Sequence, residues 1–183
     1  MKNLYLLLFF LIPFIFIAQT YNVDIQKSNV EWIGEKPTGT HNGNILIKEG
    51  YINLDNNKQI KSGQFILDMQ SINCTDLTGN SKKSLDGHLK DEDFFNTKNY
   101  PIATFIITSA SAEKIDGTLT IKDITHNISF TYTTIDTLTY SAEIIIDRTK
   151  YNIKYKSKTI FPDLADKFIY DDFTIKLNSL ILN

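Results

Sequence analysis

The chain is short of the residues that most often carry chemistry or covalent stability. It has one cysteine, Cys74, in 183 residues. A single cysteine makes no internal disulfide, so the core must hold the fold unaided. No basic residue adjoins Cys74 in sequence. That favours a small buried apolar residue over a reactive thiol. Acidic and basic residues nearly cancel, leaving a formal net charge of -2. Such a balance gives no electrostatic reason to expect nucleic acid or an anionic membrane as a partner. There is no G-x-S-x-G, no phosphate loop and no defensible Ser/His/Asp order. The consecutive acids Asp91, Glu92 and Asp93 cannot all point at one substrate, so they read as a solvated helix end. These absences argue against an enzyme and nominate no catalytic residue.

Long apolar runs are also scarce. Leu4 to Ile17 is the exception, broken only by Pro13. It is shorter than the roughly 20 residues a membrane-spanning helix needs. It follows Met1-Lys2-Asn3 and precedes Ala18-Gln19-Thr20, the order of a secretory signal peptide. Residues 1–19 are read as that leader, cleaved near 18–20, and residues 20–183 as one domain. The expected location is periplasmic or secreted. No cysteine follows the run to accept a lipid anchor.

What is abundant is short-range alternation. Phe65, Leu67 and Met69 share one face of QFILDMQ; Phe105 and Ile107 share another. Leu119 with Ile121, the run Ile128 to Tyr132, Ala142-Ile144-Ile146, and Phe173-Ile175-Leu177 repeat the pattern. Period-2 alternation rich in Ile, Thr, Phe and Tyr predicts strands with one wet face. Turn signals separate them at Asp55-Asn56-Asn57, Lys61-Ser62-Gly63, Asp116-Gly117, Asp123 and Asp136. Strands arriving roughly every 10 to 15 residues favour an antiparallel sandwich or barrel. One segment breaks the pattern. Leu85 and Leu89 are four apart in 80–90, predicting a short helix capped by Asn80 or Ser81 and weakened by Gly87. Pro162 suits the start of a second short helix or turn reaching Lys167.

The sequence after the helix places Phe94 and Phe95 directly behind the acid run. Tyr100-Pro101 then forces an extended lead into the next strand. Aromatics at such a crossing either plug one end of a barrel or border a cavity, and the two are compatible. Phe95 is expected to face away from Phe94 and pack on the helix. Arg148, the only arginine, sits at a strand end with Asp171 or Asp172 as ion-pair candidates, or a polar head group as the alternative. His41, His88 and His126 have no metal-motif spacing.

These pieces resemble the YceI-like family of exported, lipocalin-like proteins. The matching segments are Tyr21-Asn22-Val23-Asp24 with Val30-Glu31-Trp32, Gly39 to Gly43, and Ser71-Ile72-Asn73. They continue through His88-Leu89, Asp93-Phe94-Phe95, Tyr100 to Phe105, Gly117 to His126, Ile146-Asp147-Arg148 and Tyr151-Asn152-Ile153. The segment through Phe94, Phe95 and Tyr100-Pro101 is the most specific. Thr125-His126-Asn127 departs from the family's Thr-Lys-Pro. The resemblance implies an all-β antiparallel lipocalin-like barrel of about eight strands with the helix near one end. It implies an isoprenoid, quinone-like or other amphiphilic lipid in the lumen, with no other cofactor and no metal. The expected ligand-facing residues are Trp32, Phe65, Leu67, Phe94, Phe105, Ile107, Ile144 and Ile146, with Arg148 and His88 at the rim. A carrier would touch membranes transiently, and a homodimer is left open. Two alternatives stand beside it. One is a filled barrel acting as a stress-response or interaction module; the other is a metal-dependent enzyme using His41 or His88.

Overall fold

A computed structural model describes residues 18–183. The leader reading at 1–19 falls, except for its last two residues, outside the described residues. Among the described residues there are nine strands, one α-helix and two short 3-10 turns. The strands are β1 (Gln19–Asn22), β2 (Asn29–Lys36), β3 (Gly39–Leu54), β4 (Ile60–Cys74), β5 (Ile102–Ala110), β6 (Lys114–Ile121), β7 (Ile124–Asp136), β8 (Thr139–Asp147) and β9 (Asp172–Ile181). The helix α1 spans Gly79–Lys90.

The strands run β3-β2-β9-β8-β7-β6-β5-β4, and β4 pairs back onto β3 to close eight of them into an antiparallel barrel. This is the expected all-β, lipocalin-like architecture. β3 is long enough to serve two partners on one edge. Its first half pairs with β2 and its last residues with β1, as in Gln19↔Leu54. Closure gives every strand of the ring a partner on both sides over at least part of its length, and an inner and an outer face. Alternation does the rest. Ile115, Leu119 and Ile121 point inward and are buried, as are Ile144 and Ile146.

Two predicted turns are corrected. Lys61-Ser62-Gly63 lies within β4, and Asp116-Gly117 within β6. Both glycines mark close approach, not reversal. A Cβ on Gly117 would lie 2.5 Å from the Phe105 ring, and one on Gly63 2.7 Å from the Tyr51 carbonyl oxygen. For Asp116-Gly117 the reversal comes later, at the predicted turn signal Asp123, where Lys122 and Asp123 both take positive φ (51° and 59°). That pair of signs is the type I′ signature of a two-residue hairpin.

The helix forms where expected but is capped differently. Thr78, not Asn80 or Ser81, holds the N-cap position, and its side chain makes no capping bond. Gly79, at φ +59°, bends the chain into the helix. The helix is held by β4 instead: the Cys74 N–H donates to Asp86 Oδ1 at 2.6 Å, and Lys82 bonds both Asp86 and the Cys74 carbonyl. The second predicted helix shrinks to a 3-10 turn, Pro162–Leu164.

The wall is not uniform. Among the described residues, β7 and β8 share only four paired positions, from Asp136↔Thr139 to Tyr132↔Ala142. Above them Ile124–Thr131 pairs only with β6, and Glu143–Asp147 only with β9. Amides on an unpaired edge exchange with solvent more readily. Hydrogen exchange is therefore expected to be faster in peptides covering 124–131 and 143–147 than in 43–54 of β3. Equal protection would show that the β7–β8 ladder continues.

Candidate functional site

Two cavities lie one above the other inside the ring. Successive inward residues of the same strands line first one and then the other. Trp32, Ile45 and Phe173 line the upper cavity; Val30, Ile47 and Ile175 line the lower. Two residues of strand rise about 7 Å, so one layer of side chains separates the two spaces.

The upper chamber has a volume of about 920 Å³ and sits at the helix end of the barrel. Leu85 and Leu89 face it, as their spacing of four predicted. After Lys90 the backbone coils tightly. The Phe94 N–H bonds the Asp91 carbonyl, and the Phe95 N–H reaches back to the Leu89 carbonyl. This coil separates polarity by direction. Asp91, Glu92 and Asp93 stay exposed, while Phe94 and Phe95 are buried edge-to-face at 5.1 Å. The expectation that Phe95 faces away from Phe94 is thereby corrected, since both rings line the chamber. Lys122, on the β6–β7 hairpin, donates to the Phe94 carbonyl at 2.9 Å and fixes the coil from outside. Burial pulls its pKa down, opposed by Asp93 and Glu92.

The chamber's other wall is the segment joining β8 to β9, residues 148–171. Arg148 anchors it and is only 2% exposed, so it is buried and not at an open rim. Its guanidinium donates to the carbonyls of Tyr170, Ile153 and Ile169 at 3.0–3.1 Å. It also reaches Asp171 at 3.4 Å, which realises the structural pair. Burial lowers the Arg148 pKa, opposed by Asp171 and Asp147. His88 stands on the chamber wall between the rings of Phe94 (5.3 Å) and Tyr155 (4.2 Å). Its Nδ1 lies 3.8 Å from Asp93, and its buried Nε2 has no hydrogen-bond partner in the protein.

The lower lumen is smaller, about 110 Å³, and its exposed lining is wholly apolar. Phe65, Leu67, Phe105, Ile107, Ile144 and Ile146 all line it. Phe105 stacks at 6.3 Å on Phe65 and meets Phe130 at 5.5 Å, which takes up much of the interior. The sequence-expected set is thus split. Trp32 and Phe94 line the chamber above, and the other six line the lumen below.

A family model described as a YceI-like domain matches residues 21–179. The chain belongs to the YceI-like family. BcnA of Burkholderia cenocepacia has a similar fold, with a TM-score of 0.67 at 21% identity over 88% of this chain and 99% of that one. A polyisoprenoid binding domain from Saccharophagus degradans gives a TM-score of 0.60 at 16% identity, covering 89% and 97%. The Campylobacter jejuni YCEI protein gives 0.54 at 18%, covering 100% and 99%. A UPF0312 protein of Staphylococcus aureus (strain USA300) is 47% identical over 45 residues, 25% of this chain. The match spans about a quarter (26%) of that relative's length.

The histidines of this YceI-like chain are bound to separate partners. His41 Nδ1 meets Asp76 at 2.8 Å, His88 lies in the chamber wall, and His126 Nε2 meets the Lys150 carbonyl at 3.0 Å. Among the described residues no cluster of three or more His, Cys, Asp or Glu side chains could hold a metal ion. Sequence reasoning missed Phe173, Tyr155 and Phe168, which complete the chamber's aromatic lining. Phe173 was legible as an inward strand residue; the other two lie in an irregular segment with no periodicity to read.

Asp76 latches the mouth. It accepts from the Asn42 N–H at 3.1 Å, meets His41, and takes the Cys74 thiol at 3.0 Å. Burial alone would raise its pKa, but these bonds outweigh burial and bring it to about 2. Burial also pushes the Cys74 thiol up, assisted by its bond to Asp76, so this buried thiol is a poor nucleophile. A carboxyl whose folded pKa is depressed contributes stability above its unfolded value near 3.9 and loses it as pH falls toward the folded value. Asp76→Asn is therefore expected to flatten the acid limb of the stability curve between about pH 4 and pH 2. Urea melts across that range check it; an unchanged limb refutes the latch. Arg148→Met should destabilise the fold by about 3 kcal/mol or more, because it strands buried carbonyls and a carboxylate. A loss below about 1 kcal/mol in urea denaturation would show those groups find water.

Proposed function

We propose that this YceI-like protein is an exported carrier that sequesters or moves an isoprenoid, quinone-like or other amphiphilic lipid. The observation behind this reading is the stacked pair of cavities. An amphiphile needs apolar space with polar groups at its outer end. The lower lumen is lined almost entirely by hydrocarbon and aromatic side chains, with Ser141 the exception, whereas the chamber adds His88, Lys36 and Lys156 to an aromatic wall. The unpartnered His88 Nε2 is a fitting contact for a head-group oxygen. The chamber volume lies in the upper part of the range of about 300–1,000 Å³ typical of ligand sites. The bulk of the ligand is assigned to the chamber, with its tail end directed at the lumen. Burying an apolar chain releases about 25 cal/mol per Å², which favours a long ligand without any catalytic group. The polyisoprenoid binding domain of the Saccharophagus degradans relative is consistent with this class.

A second reading has one observation in its favour. The lower lumen of about 110 Å³ is largely filled by Phe65, Phe105 and Phe130, as an interaction module with a solid core would be.

Native mass spectrometry of protein purified from its own envelope separates the two. A stoichiometric adduct of prenyl-type mass is expected. Leu85→Glu should remove it by placing a charge in the chamber, and Phe105→Asp should shorten or weaken what is held. A clean apo mass with no uptake of added isoprenoids would overturn the carrier reading and favour the filled barrel.

A further inference from the structure

The segment joining β8 to β9 is more than a chamber wall. It is pinned at its base by Arg148, by the Tyr170 N–H on the Glu35 carbonyl, and by the Ile169 N–H on the Lys156 carbonyl. Above that base it projects apolar side chains into solvent. Ile160 is 37% exposed and Phe161 48%, while Tyr170, at the base itself, is 46% exposed. The same stretch, 150–170, carries Lys150, Lys154, Lys156, Lys158 and Lys167, all exposed, against Asp163 and Asp166. Among the described residues none of these five lysines is in an ion pair, although other lysines are. Instead Lys158 lies 4.7 Å over the Phe168 ring and Lys156 5.2 Å over Tyr155. The chain as a whole carries -2, so this lysine-rich stretch is opposite in sign to the whole.

We propose that this projection docks the mouth of the barrel on an anionic phospholipid bilayer. Exposed Ile and Phe enter the interface, a tyrosine sits at head-group depth, and lysines with no ion-pair partner among the described residues meet lipid phosphates. The neighbouring acids fit this geometry. Glu92 and Asp93 share a groove with Phe161, Leu164 and three lysines, Lys122, Lys154 and Lys156, so the lysines outnumber the acids there. Lys158 has no carboxylate within ion-pair distance among the described residues. The position carries the inference: Tyr155, Lys156, Phe168 and Tyr170 line the chamber, so a bilayer seated on the projection faces the way in. The proposal rests on the carrier reading for its purpose, but not for its test.

The chain from Ala18 onward holds every strand of the barrel and the helix, so it serves as the test protein without the preceding apolar run. It is mixed with vesicles of phosphatidylcholine alone or with about 30% phosphatidylglycerol, and the bound fraction is read by flotation. Binding is expected only with the anionic vesicles and is lost as salt rises, through screening. Ile160→Ser/Phe161→Ser and Lys154→Glu/Lys158→Glu are each expected to weaken it by about tenfold or more. All four side chains are exposed and outside the chamber lining, so ligand content by native mass spectrometry should not change. No vesicle binding, salt-insensitive binding to both vesicles, or binding unmoved by both variants would overturn the proposal. Vesicle binding by a protein that never carries lipid would leave docking standing and remove the carrier reading alone.

Discussion

The β3–β4 ladder is the constraint on which this molecule depends. Eight strands in a row make an open sheet with two unpaired edges. Pairing of the 16-residue β3 with the 15-residue β4 turns that sheet into a ring. Closure satisfies the edge hydrogen bonds and bounds an interior at the same time. The interior then has two regimes. In the middle of the barrel, bulky residues from every strand meet and nearly fill it. Towards the helix end the strands stop and the filling must come from elsewhere.

What comes from elsewhere is one helix, one coil and one long connection. None has a core of its own, so each is fastened by directed polar bonds. The helix is tied by Asp86 and Lys82 to the end of β4, the coil by Lys122, and the connection by Arg148. Asp76 joins the start of β3 to the end of β4 beneath them. The aromatic residues these bonds hold in place leave a chamber instead of packing solid. The same coil explains why the acid run adjoins two phenylalanines: its turn leaves residues 91–93 on the water side and brings residues 94–95 round to the chamber side.

The strand faces were legible because period-2 alternation has only one solution when one side is dry. Phe65, Leu67, Phe105, Ile107, Ile144 and Ile146 therefore fall on the inner face, as their spacing implied. The glycines at 63 and 117 were misread because a glycine beside a polar residue carries the same local signature in a turn and at a close contact. Only the ring of Phe105, brought over Gly117 by the β5–β6 pairing, tells them apart. A net value near neutrality likewise averages over the five exposed lysines between β8 and β9 and the acids elsewhere, so it carries no local information.

Local periodicity and a family-wide pattern were enough to place the barrel class, the helix over 80–90 and the inward residues of the strands. Tertiary structure alone decided that the interior divides into a small lumen and a large chamber. It also decided that Phe94 and Phe95 share one wall and that Arg148 is buried among backbone carbonyls. These depend on contacts between residues far apart in the chain, such as Arg148 with Tyr170 and Lys122 with Phe94, for which no local spacing leaves a trace.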